Sequence, residues 1–129
     1  MRRNTRTIFA LFLTAGLIAF AGFRPSLQQK QPAGCPTTKV VSPAEVPKGD
    51  KLVFIANVTG GDKDVTPTYN WSVSASQIES GQGTSKIEVT TKDVEVDSTI
   101  TATVELGGYS RNCGYGSTVN SATTNVVKK

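Results

Sequence analysis

Residues 68–75 read TYNWSVSA, and their alternation is the clearest indication of the fold class of the chain. Successive side chains of a β-strand point to opposite faces of its sheet, so an alternation of apolar and polar residues is typical of a strand with one buried and one exposed face. Here one face carries Tyr69, Trp71, Val73 and Ala75, and the other carries Asn70, Ser72 and Ser74.

The same alternation recurs through most of the chain after Cys35. Residues 99–106, TITATVEL, place only apolar side chains on one face. No window has the spacing of an amphipathic helix over three turns. Six or seven short strands within 95 residues predict an all-β, immunoglobulin-like antiparallel sandwich of two sheets. The further strands are predicted at residues 37–42, 52–58, 77–79, 86–91 and 118–127.

The core of this predicted sandwich is small. Trp71, Tyr69 and Phe54 are its largest side chains, and we interpret them as core anchors. The remaining core positions are mostly Val, Ile and Ala, and a core with so few large residues has marginal stability.

The N-terminus has the layout of a secretory signal peptide. Three Arg residues precede an uncharged run at residues 7–23, and small residues near position 21 mark a cleavage point. This 17-residue run is shorter than the ~20 residues that cross a bilayer core comfortably. We predict a helical signal peptide at residues 1–21, with an uncleaved membrane anchor as the alternative. Lipidation at Cys35 is least favoured, because Cys35 lies well beyond the apolar run.

The rest of the chain divides into a linker and one domain. Residues 22–34 are rich in Gln and Pro and predict a flexible linker, and residues 35–129 form the sandwich. The protein is therefore expected to be exported, to the periplasm, the outer surface or the extracellular space. It would meet the membrane only through the signal segment, if that segment stays uncleaved.

Charge and composition exclude several classes of function. The formal net charge of +4 falls to +1 without the three Arg of the signal segment, because 11 basic and 10 acidic residues then remain. The Lys residues within positions 35–127 are scattered singly among acidic residues, so they do not form the basic patch of a nucleic-acid-binding protein. The chain has no His and two Cys, which excludes Ser-His-Asp catalysis, His-ligated metals and four-thiolate zinc sites. We expect a protein that is not an enzyme and needs no metal or cofactor.

Four segments of the sequence are similar to parts of a known domain family. They are Leu52–Gly61 (LVFIANVTGG), Thr68–Ser76 (TYNWSVSAS), Ser80–Thr84 (SGQGT) and Thr99–Gly108 (TITATVELGG). They resemble the second strand, the Trp-bearing third strand, the mid-domain turn and the sixth strand of a bacterial immunoglobulin-like family related to polycystic-kidney-disease (PKD) domains. The PKD pattern follows its Trp with an Asp-Phe-Gly-Asp-Gly type segment, whereas Ser-Val-Ser-Ala follows here. The resemblance implies a cell-surface or secreted module for adhesion, spacing or protein contact.

Cys35 and Cys113 are the only cysteines of the chain. A disulfide is the default for two thiols in an exported protein. Cys35 precedes the first predicted strand and Cys113 follows the sixth, so the immunoglobulin-like topology predicts both at the same end of the sandwich. We predict an intramolecular disulfide, which would stabilise this small core by up to ~4–5 kcal/mol in the chain-entropy treatment. A free thiol pair and intermolecular bonds are the alternatives.

The loop at residues 107–116 is the first candidate for a binding surface. Tyr109, Arg111, Asn112 and Tyr115 lie in it, and aromatic and Arg side chains often dominate the energetics of interfaces. We expect this loop beside the loop at residues 59–67. The alternative is a tethered loop whose aromatic rings cover the disulfide.

Two groups of carboxylates in the sequence could in principle bind a cation. Asp62 and Asp64 flank a Lys in a Gly-containing loop, and we predict a solvated turn because calcium needs six to eight ligands. Asp93, Glu95 and Asp97 alternate along the chain and predict a charged edge that resists aggregation.

These observations predict the class of function. We expect an exported, non-enzymatic immunoglobulin-like module for binding or adhesion at the cell surface, with a protein or a glycan as partner and no nucleic acid. The alternative is a structural or assembly spacer of the bacterial cell envelope. A small secreted hydrolase or inhibitor is the weaker alternative.

Overall fold

A computed structural model describes residues 34–129 of the chain. The predicted signal peptide and nearly all of the predicted linker lie outside the described residues. The described part is all-β, and it has no helix of the length and hydropathy that a membrane span requires. Its eight strands are β1 Pro36–Val41, β2 Glu45–Pro47, β3 Leu52–Gly60, β4 Thr68–Val73, β5 Ile78–Ser80, β6 Lys86–Val89, β7 Thr99–Gly107 and β8 Val119–Val127.

The strands form two four-stranded sheets that share one core. Sheet A has the order β1-β3-β6-β5, and sheet B has the order β2-β8-β7-β4. With β1 and β2 counted as one interrupted first strand, these are the two sheets of an immunoglobulin-like sandwich. The predicted fold class is confirmed, and the strand number is eight rather than six or seven.

The additional strand is β2, which the alternation pattern does not show. The chain leaves sheet A after Val41, and β2 joins sheet B by pairing with β8 in parallel, whereas the other strand pairs are antiparallel. The buried Thr124 fixes this crossing. Its hydroxyl donates to the Pro43 carbonyl at 2.8 Å and lies 2.9 Å from Oγ of Ser42. A strand of three residues is too short to display a period of two.

The register of the strands decides which loops meet at each end. Pro36 pairs with Gly60 at one end, and Thr68 pairs with Gly107 at the same end. We call this the disulfide end. It comprises residues 34–36, 61–67 and 108–118.

The opposite end carries the last described residues. Pro47 pairs with Val127 there, and Nζ of Lys129 lies 2.8 Å from Oδ1 of Asp50. The first and last described residues therefore lie at opposite ends of the sandwich.

The core draws on alternate residues of the long strands, as the sequence pattern indicates. Phe54 is fully buried, Trp71 is buried, and Tyr69 is partly buried against the core. The other large contributions come from Leu52, Ile87, Val89, Ile100, Val104, Leu106 and Val126.

Thr91 closes the turn between β2 and β3 from inside the core. It has no exposed surface, and its hydroxyl donates to the Asp50 carbonyl at 2.7 Å. The same hydroxyl accepts the N–H of Gly49 at 2.8 Å. A buried hydroxyl is tolerated here because both of its hydrogen-bonding functions are used.

Candidate binding surface at the disulfide end

The predicted bond between Cys35 and Cys113 is confirmed. Their Cα atoms lie 5.6 Å apart, 78 residues apart in sequence, and both residues are buried. Cys35 directly precedes β1 of sheet A, and Cys113 lies in the connection that follows β7 of sheet B. The bond therefore ties this connection to the start of the other sheet. A disulfide is compatible with an oxidising compartment.

Hydrogen bonds fix the connection between β7 and β8 against β1. Oγ of Ser117 donates to the Pro36 carbonyl at 2.6 Å, and the N–H of Thr38 donates to the Gly116 carbonyl at 3.0 Å. The Thr38 hydroxyl also donates to the Ser117 carbonyl. Both hydroxyl residues are buried, so these bonds are shielded from competing water.

The connection is also folded on itself. The N–H of Cys113 donates to the Ser110 carbonyl at 3.0 Å, and the Thr118 hydroxyl donates to the Cys113 carbonyl at 2.9 Å. The N–H of Gly116 donates to the Val119 carbonyl at 2.7 Å. Its polar backbone is thus largely paired within the protein, which is the property of an ordered loop.

Tyr109 packs inward on the neighbouring loop. A Cβ placed on Gly61 would lie 3.0 Å from Cε1 of Tyr109 and 3.2 Å from Cβ of Pro36, so the ring packs tightly over this glycine, whose φ of 85° also disfavours other residues. Tyr109 also packs against the core cluster. Because Pro36 follows Cys35, this position fits a ring that covers the disulfide region.

Tyr115 has a different environment and is directed outward. Its side chain is 74% exposed, and its hydroxyl lies 3.3 Å from Oγ of Ser121 on β8. Tyr115 also forms an isolated parallel bridge with Val119. The structure therefore separates the two Tyr residues of the loop: one packs inward and the other offers an exposed ring at a fixed place.

Arg111 and Asn112 form the exposed tip of the loop. Both residues are exposed, and the N–H of Asn112 donates to Oγ of Ser110 at 3.3 Å. The guanidinium of Arg111 makes no ion pair with any residue among 34–129. Its charge and its five donors therefore remain available to a ligand.

The loop at residues 61–67 lies beside the β7–β8 connection, as the sequence predicts. A Cβ on Gly108 would lie 3.1 Å from Cγ1 of Val65, and the N–H of Asp62 donates to the Gly34 carbonyl at 3.2 Å. Oδ1 of Asp62 accepts the N–H of Asp64 at 3.0 Å, which is the bond of a local turn. Within the described residues, no three acidic or Cys side chains are grouped to hold a metal ion.

The alternating carboxylates do not lie on a strand. Asp93, Glu95 and Asp97 fall in the connection between β6 and β7, where all three are exposed and Val94 is buried between them. They belong to a loop rather than to the predicted sheet edge. Asp97 has a φ of 66°, which is left-handed backbone and incompatible with a continuing strand.

One exposed ion pair lies away from this surface. Nζ of Lys51, just before β3, is 3.1 Å from Oε2 of Glu88 on β6. The hydrogen bond and the charge of Lys51 lower the pKa of Glu88, and those of Glu88 raise the pKa of Lys51. This pair has the character of an exposed surface ion pair.

Comparison of the chain with family models, with curated proteins and with solved structures found no match. The assignment of a binding surface therefore depends on the geometry alone.

The sequence reasoning missed the residues that fix the loop. Thr38, Ser117 and Thr118 carry the buried hydroxyls that bond the connection to β1 and to itself. Ser and Thr are abundant throughout this chain, so their type alone does not mark them. A pair of hydroxyl residues close to a predicted disulfide is the one signal that the sequence offered.

Proposed function

We propose that the protein is an exported, non-enzymatic immunoglobulin-like module that binds a protein or a glycan at the cell surface through its disulfide end. One observation carries the proposal. The connection between β7 and β8 is held at its base by the Cys35–Cys113 bond and by the buried hydroxyls of Thr38 and Ser117, while its tip stays exposed.

A loop held in this way binds at a lower entropic cost. Immobilising a flexible side chain on binding costs about 0.5–1.5 kcal/mol, and an ordered backbone avoids the larger cost of ordering the loop itself. Tyr115 adds a large ring with few rotatable bonds, and Arg111 adds a charge that makes no ion pair within residues 34–129. This combination favours recognition of a partner over catalysis.

The first described residue lies at the same end as the proposed binding surface, because the Gly34 carbonyl accepts the N–H of Asp62. The resemblance to bacterial immunoglobulin-like domains and the disulfide both support export.

The test compares binding by variants at the two ends of the domain. R111A/Y115A removes the two largest exposed side chains of the tip, and K92A/E95A changes two exposed residues near the opposite end. The readout is binding of the labelled domain to intact cells and envelope preparations of the producing organism and to a glycan array. Removing two interface anchors should weaken binding by about tenfold or more without changing the melting temperature, and K92A/E95A should bind normally. Equal binding by both variants would refute the proposal.

A role as an envelope spacer is the second candidate. It is favoured by the placement of the first and last described residues at opposite ends of the sandwich, which is the arrangement of domains linked end to end. In that case R111A/Y115A would leave all associations unchanged. A small secreted hydrolase or inhibitor is a weaker candidate, because no described geometry favours it.

A further inference from the structure

The side-chain amide of Gln82 occupies the outer edge of β4. Its Oε1 accepts the N–H of Trp71 at 2.9 Å, and its Nε2 donates to the Trp71 carbonyl at 2.8 Å. Oε1 also accepts the N–H of Gly83 at 3.2 Å. Gln82 lies in the turn between β5 and β6 of sheet A, so these bonds join the two sheets along one side of the sandwich.

This pattern is the one that a neighbouring strand would make. In an antiparallel hydrogen-bonded pair, one residue uses both its N–H and its C=O on the residue opposite. The Gln82 amide offers one acceptor and one donor to Trp71, and so it replaces one residue of a partner strand. The backbone N–H and C=O groups of successive residues in a strand point to alternate sides. Tyr69 and Val73 lie two residues from Trp71, so their backbone groups also point away from β7.

The other three sheet edges are protected. The outer edge of β1 is bonded by the β7–β8 connection at Thr38, and Oδ1 of Asn120 accepts the N–H of Val40 at 3.0 Å. β2 and β5 have three residues each; β2 ends in Pro47, and β5 is irregular in register. Short strands, Pro and bulges are the usual means by which proteins prevent edge-to-edge pairing.

β4 lacks these protections. It has six residues, TYNWSV, without Pro or charge, and it pairs with β7 in unbroken register. Its sequence is rich in residues that favour strands. The Gln82 amide is the one feature among the described residues that blocks the middle of this edge.

We infer that the β4 edge is a pairing surface for the β4 edge of a second copy of this chain, and that Gln82 keeps it closed. Antiparallel pairing centred on Trp71 is self-complementary, because Trp71 then faces its own equivalent and Asn70 faces Ser72. Two uncharged strands meet without like-charge repulsion. Displacing the amide joins the two copies of sheet B into one continuous sheet.

Only the side chain of Gln82 has to move for the edge to open. The backbone of its turn is fixed, because the N–H of Thr84 donates to the Gly81 carbonyl at 3.0 Å and Nε1 of Trp71 donates to the Thr84 carbonyl at 2.8 Å. Gln82 itself is exposed, so its side chain can exchange the two bonds to Trp71 for bonds to water.

The experiment measures self-association of the exported domain by sedimentation velocity across a wide range of concentrations. Q82A should associate about tenfold or more tightly than the wild type, because removing the amide ends its competition for the Trp71 backbone. Q77A is the matched control, since Gln77 is an exposed Gln whose side chain makes no hydrogen bond among residues 34–129. It should behave as the wild type does.

A second variant identifies the edge that is used. Q82A/N70K/S72K places Lys directly opposite Lys across the proposed pair, and like charges at that position should return the protein to the monomer. The inference is overturned if Q82A stays monomeric at every concentration, or if its association survives the two Lys residues.

Amide exchange measured by NMR tests the cap itself, independently of association. In the dilute wild type the Trp71 amide should exchange more slowly than the amides of Tyr69 and Val73, and Q82A should remove this difference. Equal exchange of the three amides in the wild type would overturn the assignment of Gln82 as a cap.

Discussion

Single hydroxyl side chains hold the irregular parts of this fold. Thr91 and Thr124 have no exposed surface, and each bonds to a backbone carbonyl in a connection next to β2. A hydrogen bond from a buried hydroxyl contributes about 0.5–1.5 kcal/mol to the stability of the fold. These residues therefore have stabilising roles that conservative apolar replacements should reveal.

Replacing Thr124 with Val should destabilise the fold by about 0.5–1.5 kcal/mol, because the hydrogen bond from its buried hydroxyl to the Pro43 carbonyl is lost. T123V is the matched control, since Thr123 is exposed and its hydroxyl bonds only to that of Thr101 on the outer face of sheet B. Urea denaturation should show little change for T123V. Similar losses in both variants would contradict the role given to Thr124.

Gly61 offers a test of how closely the two loops of the disulfide end are packed. Gly60 and Gly61 both have positive φ, 68° and 85°, but a Cβ on Gly60 would meet no atom within 4 Å. We expect G60A to lose about 1–2 kcal/mol from backbone strain alone. G61A should lose a further ~1–3 kcal/mol through its clash with Tyr109 and Pro36. Equal losses, measured by thermal or urea unfolding, would show that the loops are not in contact.

The Lys51–Glu88 pair should give the fold a small pH dependence. Lys51 lowers the pKa of Glu88 below its ordinary value of 4.5. The stabilisation from Glu88 is therefore present above that value and is lost as the pH falls through the lowered pKa. The difference in unfolding free energy between wild type and E88Q should shrink as the pH falls below 4.5, and at neutral pH salt should reduce it. A difference independent of pH would contradict this account.

At the scale of elements, alternation identified every strand long enough to show it. β7 and β4 were predicted almost residue by residue, because their apolar faces repeat over several positions. β2 is not predicted from the sequence, because a strand of three residues that ends in Pro47 has no recognisable periodicity. The carboxylates at residues 93–97 alternate as they would on a strand, but here the alternation arises in a loop that buries Val94. The pattern therefore predicts a charged sheet edge where the structure has a loop.

The binding surface was predictable only in part. The two cysteines and the loop at residues 107–116 are visible in the sequence, because Cys, Tyr and Arg are rare in this chain. The opposite orientations of Tyr109 and Tyr115 cannot be read from the sequence, since they depend on tertiary contacts with Gly61 and Ser121. The Gln82 cap is hidden for the same reason.

Removing the disulfide should separate the stability of the loop from that of the sheets. In C35A/C113A the unfolded chain regains the freedom of a loop closed over 78 residues, and the expected loss is about 4–5 kcal/mol. Urea denaturation measures this loss. Hydrogen exchange should quicken most in the β7–β8 connection and least in β7, and a uniform increase would contradict a local role for the bond.

At the scale of the whole molecule, the contacts that fix the β7–β8 connection are concentrated at one end of the sandwich. In six of the eight strands, apolar and polar residues alternate, and their apolar faces form the core. The disulfide and the buried hydroxyls of Thr38 and Ser117 lie where β1 meets the β7–β8 connection. The chain also enters the described fold at this end. These features account for a loop that is ordered at its base and exposed at Arg111 and Tyr115.

The proposed function requires that the β7–β8 connection is already ordered in the free domain. Backbone ¹⁵N relaxation of residues 108–118 tests it directly. Order parameters of about 0.85, equal to those of the flanking strands, are the predicted result. Values below about 0.6 through Arg111–Tyr115 would show a flexible loop, and would contradict the preformed surface on which the proposed function rests.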